Sequence, residues 1–500
     1  MQKYRIILRR VLGIIIAAHI MIIAGCAHDS PRLFGSPGVS PRPEIPWIPP
    51  QKAIDKQTDF QASALQLEKP MGVPQDILAN IQNLSLAEIV YIALLNNKQT
   101  RQAWAQARAS AAAYGSKQGS YFPQISASAS ADRLKNPTLG AQFSSGAWEY
   151  SPGASLTWLL FDFGGRGASV EEAREALFAS DWTHNATIQD VILRVEQAFY
   201  GYFAAKAFLT AQKATVDETQ TSLSATNDRR AAGLATIADV LQAQTALSQA
   251  TLAFETLQGQ LMTTRGTLAT AMGLPANTGF DVDLPVGAPP VSDSKKTVQE
   301  YLDIAVRQRP DLAAARAQAL SSDAHIKYTQ AQGYPSLSTN GSIGELYFNT
   351  LSTGTAIYSA GIGIGIPLFT GFSHHYDVLQ AKAQADAARA NAQNTRDLVT
   401  LQVWTSYYNL ETAGQMLSTS DDLLKSASQN YDVALGRYKA GVGGILDLLT
   451  AQAALQNARA QQVQARAGWW LALAQLAHDT GTLEMASIAG REQRPMIDRK

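Results

Sequence analysis

Cys26 is the only cysteine among 500 residues. It follows Ile23-Ala24-Gly25, and small residues at that place are what a signal cleavage site needs. A lone thiol can form no intramolecular disulfide and can complete no CxxC metal site. The seven histidines include no HExxH. His374 and His375 are adjacent, which is poor spacing for two ligands on one helix face, and a turn or interface suits them better. Gly363 and Gly365 are only a fragment of a glycine-rich pattern, within an alternating strand. No phosphate loop and no Ser-His-Asp grouping with a local signature is present. The chain is therefore expected to be no enzyme and to need no cofactor.

The segment before Cys26 explains the thiol. Lys3, Arg5, Arg9 and Arg10 form a basic start, and Val11 to Ile23 is mostly apolar. That run is shorter than the roughly 20 residues a membrane helix needs. With the cysteine at the cut, residues 1–25 resemble the signal peptide and lipobox of bacterial lipoproteins. There the thiol and the new N-terminus are acylated. The competing reading is an ordinary signal peptide with a chance cysteine. Ala27 follows, and the resemblance then implies export to the outer membrane. Pro31, Pro37, Pro41, Pro43, Pro46, Pro49 and Pro50 exclude helix and central strand from Ser30 to Pro50. Residues 26–83 are expected to be an extended strap from lipid to the folded body.

Lys+Arg and Asp+Glu both count 41, a balance that argues against nucleic acid as a partner. Charged residues are only 16%, below the usual quarter. Such a surface suits a wall that faces water and packs closely.

The body repeats itself. Residues 86–93 correspond to 298–305, and Tyr121-Phe122-Pro123 to Gly333-Tyr334-Pro335. Ala198-Phe199-Tyr200 matches Ser406-Tyr407-Tyr408. Ala232-Gly233, Asp239 and Ala243-Gln244 match Ala440-Gly441, Asp447 and Ala451-Gln452. Each repeat (84–273 and 298–480) reads helix, strand, loop, strand, long helix, break, helix. A Pro- and Gly-rich connector (274–297) joins them, and 481–500 is a tail. No proline lies between Pro152 and Pro275, or between Pro367 and Pro495. A continuous helix from Arg166 to Ala232 would be roughly 100 Å long. Val240, Ala243, Leu247, Ala250, Phe254, Leu257 and Leu261 form a heptad seam. Leu448, Ala451, Leu455, Ala458, Gln462, Ala465 and Trp469 repeat it, with Gln462 the one polar lapse.

The strands exclude a simple rod. They are expected in two hairpins, 121–162 and 334–369. From Tyr358 to Leu368, apolar residues alternate with Ser359, Gly361, Gly363 and Gly365. Gln124 to Asp132 alternates alanine with serine, and Ala154, Leu156, Trp158 and Leu160 share a face. Segments apolar on one side and small and polar on the other fit a transmembrane β-barrel. Four strands cannot close around a lumen, and an open sheet edge is untenable in lipid. Several chains must share one barrel, and three would supply twelve strands.

On these residues the chain resembles the TolC family of outer-membrane efflux proteins, in its lipidated, NodT-like branch. The most specific part is the pair of break motifs, residues 230–241 and 438–449. The resemblance implies a mixed α and β fold: a homotrimer whose 12-stranded transmembrane β-barrel continues as a long periplasmic α-helical barrel with an equatorial domain. It implies a passive exit duct fed by an inner-membrane pump, of the resistance-nodulation-division class, through a periplasmic adaptor. The adaptor would dock on the helix tips, here Gly233, Leu234, Gly441 and Val442. The periplasmic gate would involve Tyr438 hydrogen-bonded to Asp239, with Asp447 in an acidic ring at the mouth. The family's gate arginine aligns with Gly443 and its second aspartate with Thr450, so part of the lock is missing or rebuilt. Asp239 and Asp447 equally suit helix capping, and Tyr438 suits tip packing. Trp158 and Tyr358 suit interface anchors or a sandwich core, and Trp469-Trp470 suits helix packing. Two other assignments stand beside the efflux duct: a lipid-tethered periplasmic coiled-coil scaffold, and the exit duct of a type I protein secretion system.

The anchor is testable by metabolic labelling with an alkyne palmitate. The wild-type chain should incorporate label and start at Cys26, and Cys26→Ser should carry none. An unlabelled wild type would leave the ordinary signal peptide.

Overall fold

The computed structural model describes residues 39–49, 84–134, 147–282, 297–349 and 354–483. Cys26, most of the strap, the greater part of the 274–297 connector and most of the tail lie outside the described residues.

The chain folds as α1 (Leu86–Asn96), α2 (Lys98–Gln118), β1 (Gln124–Leu134), β2 (Ala147–Phe161), α3 (Gly165–Ala231) and α4 (Ile237–Ala271). The same order follows as α5 (Val298–Gln308), α6 (Pro310–Ala331), β3 (Ser336–Phe348), β4 (Thr355–Gly365), α7 (Ser373–Lys439) and α8 (Ile445–Asp479). Both α3 and α7 have 67 residues, and both α4 and α8 have 35. Among the described residues, no helix is long and apolar enough to cross a membrane.

The single helix expected before each hairpin is in fact two. Asn97 ends α1, and its side chain accepts from the backbone N–H groups of Gln99 (2.7 Å) and Thr100 (3.3 Å) to start α2. In the second half Pro310 has no N–H to give, so it opens α6 at the first helical position. Ser85 and Thr297 begin α1 and α5 with matching capping boxes, closed by Glu88 and Glu300.

The strands form one antiparallel sheet in the order β1-β2-β3-β4. β2 begins at Ala147, seven residues before the expected start. Pro152 hid that stretch, since proline argues against a central strand. The β2–β3 ladder lapses at Ser151 and Pro152. Gly344 permits the crossing, because a Cβ there would lie 2.8 Å from the Pro152 carbonyl oxygen. β4 ends at Gly365, short of Leu368, because Pro367 cannot donate to the ladder. Each sheet-to-helix junction turns on two successive left-handed residues, Phe163-Gly164 and Gly371-Phe372.

The helices pack in a fixed lateral order. Near the sheet it is α2–α3–α6–α7, and away from it α4–α3–α8–α7. The expected heptads supply the seams. Ala243 and Ala250 are buried on α4, and Leu448, Ala451, Leu455, Ala458, Ala465 and Trp469 on α8. The lapse at Gln462 has a partner, since its amide donates to Asp421 on α7 (2.9 Å). Trp469 packs with Leu417, and Trp470 stacks on Tyr200 at 5.7 Å. That pair packs helices, as its spacing suggests.

The largest apolar core lies midway along the helices. Ile89, Ile92, Ile192, Val195, Phe199, Leu268 and Met272 converge there, with Leu84 bridged to Val282. Beside it sits a charged cluster. His478 Nε2 pairs with Asp190 (2.9 Å) and Nδ1 with Asp479 (3.0 Å), while Arg309 bonds Asp311 (2.7 Å) and Gln402 (2.8 Å). Burial opposes charge on His478, but its two aspartates outweigh burial and raise its pKa to about 9.

Residues 39–49 lie across α2 and α3. Trp104 Nε1 donates to the Ser40 carbonyl (2.9 Å), and Asn185 exchanges two hydrogen bonds of 2.7 Å with the Trp47 backbone. His184 Nε2 lies 2.8 Å from the Pro43 carbonyl. The Trp47 ring meets Phe178 and Trp182. Below it Asp181 is fully buried, and burial pushes its pKa up to about 8.

Two outcomes follow. Asn185→Ala removes both strap hydrogen bonds, a loss of about 1–3 kcal/mol, and should speed proteolysis near Trp47. His478, with its pKa raised from 6.5 to about 9, stabilises the fold fully below pH 6.5 and loses that contribution as pH rises through 9. The thermal midpoint should fall across that window, and His478→Gln should flatten the fall.

Candidate functional site

Residues with no catalytic geometry make up this site: two sheet faces and two helix tips. The register puts Ile125, Leu156, Ile343, Tyr358, Ile362 and Ile364 on one face. The opposite face carries a row of serines across all four strands, Ser126, Ser155, Ser342 and Ser359, opposite one another in sequence. Their hydroxyls bond across strands at 2.8 Å in Ser126–Ser155 and Ser342–Ser359. Tyr358 is 86% exposed and Ile362 73% in the single chain. A sandwich core for Tyr358 is therefore excluded, while Trp158 is partly covered at 37% exposure.

Aromatic residues gather at both ends of the sheet. Trp148 stacks with Tyr150 at the far end (6.5 Å). At the helix end Trp158 Nε1 donates to the Tyr121 carbonyl (3.0 Å), and Phe161, Phe163 and Tyr334 pack together. An apolar band between aromatic girdles is the outer surface of a membrane β-barrel. Among the described residues both outer strands, β1 and β4, pair on one side only.

The tips are built alike. Gly233 (φ 74°) and Gly441 (φ 80°) take the left-handed conformation that ends α3 and α7. Leu234 N–H returns to the Arg229 carbonyl (2.8 Å), and Val442 N–H to the Arg437 carbonyl (3.0 Å). Leu234, Val442, Ile237 and Leu446 are left exposed beside these turns. Just above, α4 and α8 border a groove of about 600 Å³, lined by Leu241, Leu446, Leu449 and Gln452.

The structure does not bring Asp239 to Tyr438. Asp239 caps its own helix, accepting from Thr236 N–H (2.7 Å) and the Thr236 hydroxyl (2.9 Å). Asp447 accepts from Gly444 N–H (3.4 Å) at the start of α8 and is exposed. Tyr438 is 2% exposed, and its hydroxyl donates to Thr226 Oγ1 on α3 (3.1 Å). The Arg229 guanidinium lies over the Tyr438 ring, 4.5 Å from its centre, and donates to the Tyr438 carbonyl. Sequence reasoning missed Thr226 and Arg229. Their signal was present: an arginine in the last turn of a helix, and a threonine one turn before it. His374 packs against Gly333, and among the described residues no group of three or more metal-ligating side chains exists.

A family model described as outer membrane efflux protein matches residues 89–274 and 301–482. The chain belongs to that family. Protein CyaE of Bordetella pertussis is 28% identical over 437 residues, 86% of this chain and 88% of its own. Outer membrane protein OprJ of Pseudomonas aeruginosa is 25% identical, covering 74% and 78%. Nodulation protein T of Rhizobium leguminosarum is 26% identical over 63% and 68%. Among solved structures, the outer membrane protein VceC of Vibrio cholerae superposes with a TM-score of 0.70 at 20% identity, over 79% of this chain and 96% of its own. The Neisseria gonorrhoeae MtrE outer membrane channel, in its open state, gives 0.68 at 21%, over 80% and 91%. The fold is that of TolC-like channels, mostly helical with a four-stranded antiparallel sheet.

The two faces of this family member predict opposite tolerance. Ile362→Lys would place a charge on the apolar face and cost about 2–4 kcal/mol near mid-membrane, lowering the yield of protein folded into lipid vesicles. Ser359→Lys, on the other face of the same strand, should leave that yield unchanged.

Proposed function

We propose that this protein is the outer-membrane exit duct of a tripartite efflux system. It conducts solutes passively from an inner-membrane pump, through a periplasmic adaptor, to the outside. The observation that carries this reading is the four-stranded sheet, with one apolar face, one serine face and two unpaired edges. In lipid such edges need partners. Three copies placed edge to edge give twelve strands and, below them, twelve helices at each level. The homotrimer rests on that arithmetic and on what is typical of the fold.

Cys26, acylated after removal of residues 1–25, anchors the chain to the outer membrane. The two halves of the chain are duplicates, a reading that their equal helix lengths support. The pump belongs to the resistance-nodulation-division class by family resemblance, and a relative named as a probable efflux pump outer membrane protein, TtgC of Pseudomonas putida at 25% identity, favours an efflux pump over a type I secretion partner. Gly233, Leu234, Gly441 and Val442 form the adaptor's docking surface, since their turns expose apolar side chains at the end of the body. Tyr438 and Asp239 belong to the periplasmic gate, and Asp447 lines the mouth. Three carboxylates in a ring attract cations where low-dielectric walls focus the field.

The test is conductance. The purified full-length protein, added to a planar lipid bilayer, should produce discrete, long-lived current steps. A lipid-tethered scaffold would produce none, and a silent bilayer with correctly extracted protein would end the duct reading.

A further inference from the structure

At the tip the lateral order α4–α3–α8–α7 sets α8 between α3 and α7, and the last turn of α7 reaches α3 through the hydroxyl and the carbonyl of Tyr438. Several basic side chains are near. Arg230, Arg437 and Lys439 all point to solvent. Arg229 is half-buried and touches both ends. One arm donates to the Tyr438 carbonyl of α7, the other to the Leu234 carbonyl just past α3 (3.3 Å), and its face covers the Tyr438 ring.

We infer that Arg229 is the clamp that holds the two helical hairpins of one protomer together at the tip, and so sets how readily the mouth opens. The inference rests on the duct reading above. Gly443 cannot supply this cation: a Cβ there would meet Arg437 Cβ at 3.2 Å and Tyr438 N at 3.3 Å, so the last turn of α7 already fills the space. The clamp therefore comes from the opposite hairpin. Further up, the same interface is bonded by Arg459 of α8, which grips Glu218 of α3 at 2.7 and 2.9 Å. Those contacts lie above the tip and can persist when it parts. At the tip itself Tyr438 has two anchors on α3, Thr226 and Arg229, and any swing of α7 and α8 away from α3 and α4 must break both. A lysine could place a charge there, but not the planar fork that reaches two carbonyls while stacking on a ring.

The experiment compares the wild type with Arg229→Ala, Arg229→Lys, Tyr438→Leu and the Arg229→Ala/Tyr438→Leu double variant, all full-length in planar bilayers. Arg229→Ala should raise the open probability about tenfold, which corresponds to about 1.4 kcal/mol. Arg229→Lys should fall between it and the wild type. Tyr438→Leu keeps the backbone carbonyl that Arg229 reaches but loses the ring beneath it, so the double variant should open more than Tyr438→Leu alone and by less than the product of the two single effects. If Arg229→Ala fails to assemble, Arg229→Gln, which keeps two N–H donors without the charge, takes its place. Wild-type gating in Arg229→Ala, or effects that multiply in the double variant, would overturn the clamp. A lowered melting temperature with unchanged gating would do so too, by making Arg229 merely structural. Silence in every variant, wild type included, would instead strike the duct itself.

Discussion

A sheet with two bare edges sets the terms for everything else in this protein. Each unpaired N–H and C=O of β1 and β4 is costly in a hydrocarbon layer, and no other segment among the described residues pairs with either strand. The apolar face of the sheet adds a second demand, since Ile125, Ile343, Tyr358 and Ile362 have nothing over them in one chain. In the proposed duct, lipid satisfies the face and further copies satisfy the edges. Once the sheet is one sector of a ring, the helices that leave it must also be a sector. Their flat lateral order, four helices wide at every level, meets that requirement.

The helices achieve a wall rather than a ball by using small residues. Alanines at 243, 250, 451 and 458 let long helices pair closely without a bulky core between them. Bulk is concentrated at the equator, where Phe199, Ile192 and Met272 lie together, and where α1 and α5 lean against the long helices. Toward the tips a smaller apolar cluster of Tyr438, Ile445 and Leu448, with Ala225 of α3 against it, is joined by the polar contacts of Tyr438 with Thr226 and Arg229.

Much of this was legible in the order of residues. Strand faces follow from a period of two, so the alternation after Tyr358 separated its two faces directly, while the pairing register came only from the fold. The heptads of α4 and α8 follow from spacings of three and four, and Gly233 and Gly441 from the break between long helices. What escaped did so for identifiable reasons. Pro152 concealed the first half of β2, because the lapse of one ladder and the close approach at Gly344 are tertiary facts. Asn97 and Pro310 split helices whose apolar pattern runs on across them. Asp239 was paired with Tyr438 by resemblance, whereas its local capping box with Thr236 engages it. Arg229 stood in a readable place, the last turn of a helix, but its partner Tyr438 lies in the other half of the chain and only the fold brings the two together.

The central claim is that several chains close one barrel, and native mass spectrometry of the protein extracted from outer membranes tests it most directly. The account predicts a particle of three chains, each beginning at Cys26 and carrying acyl mass. A particle of one chain would leave β1 and β4 unpaired in the membrane, and would contradict the account.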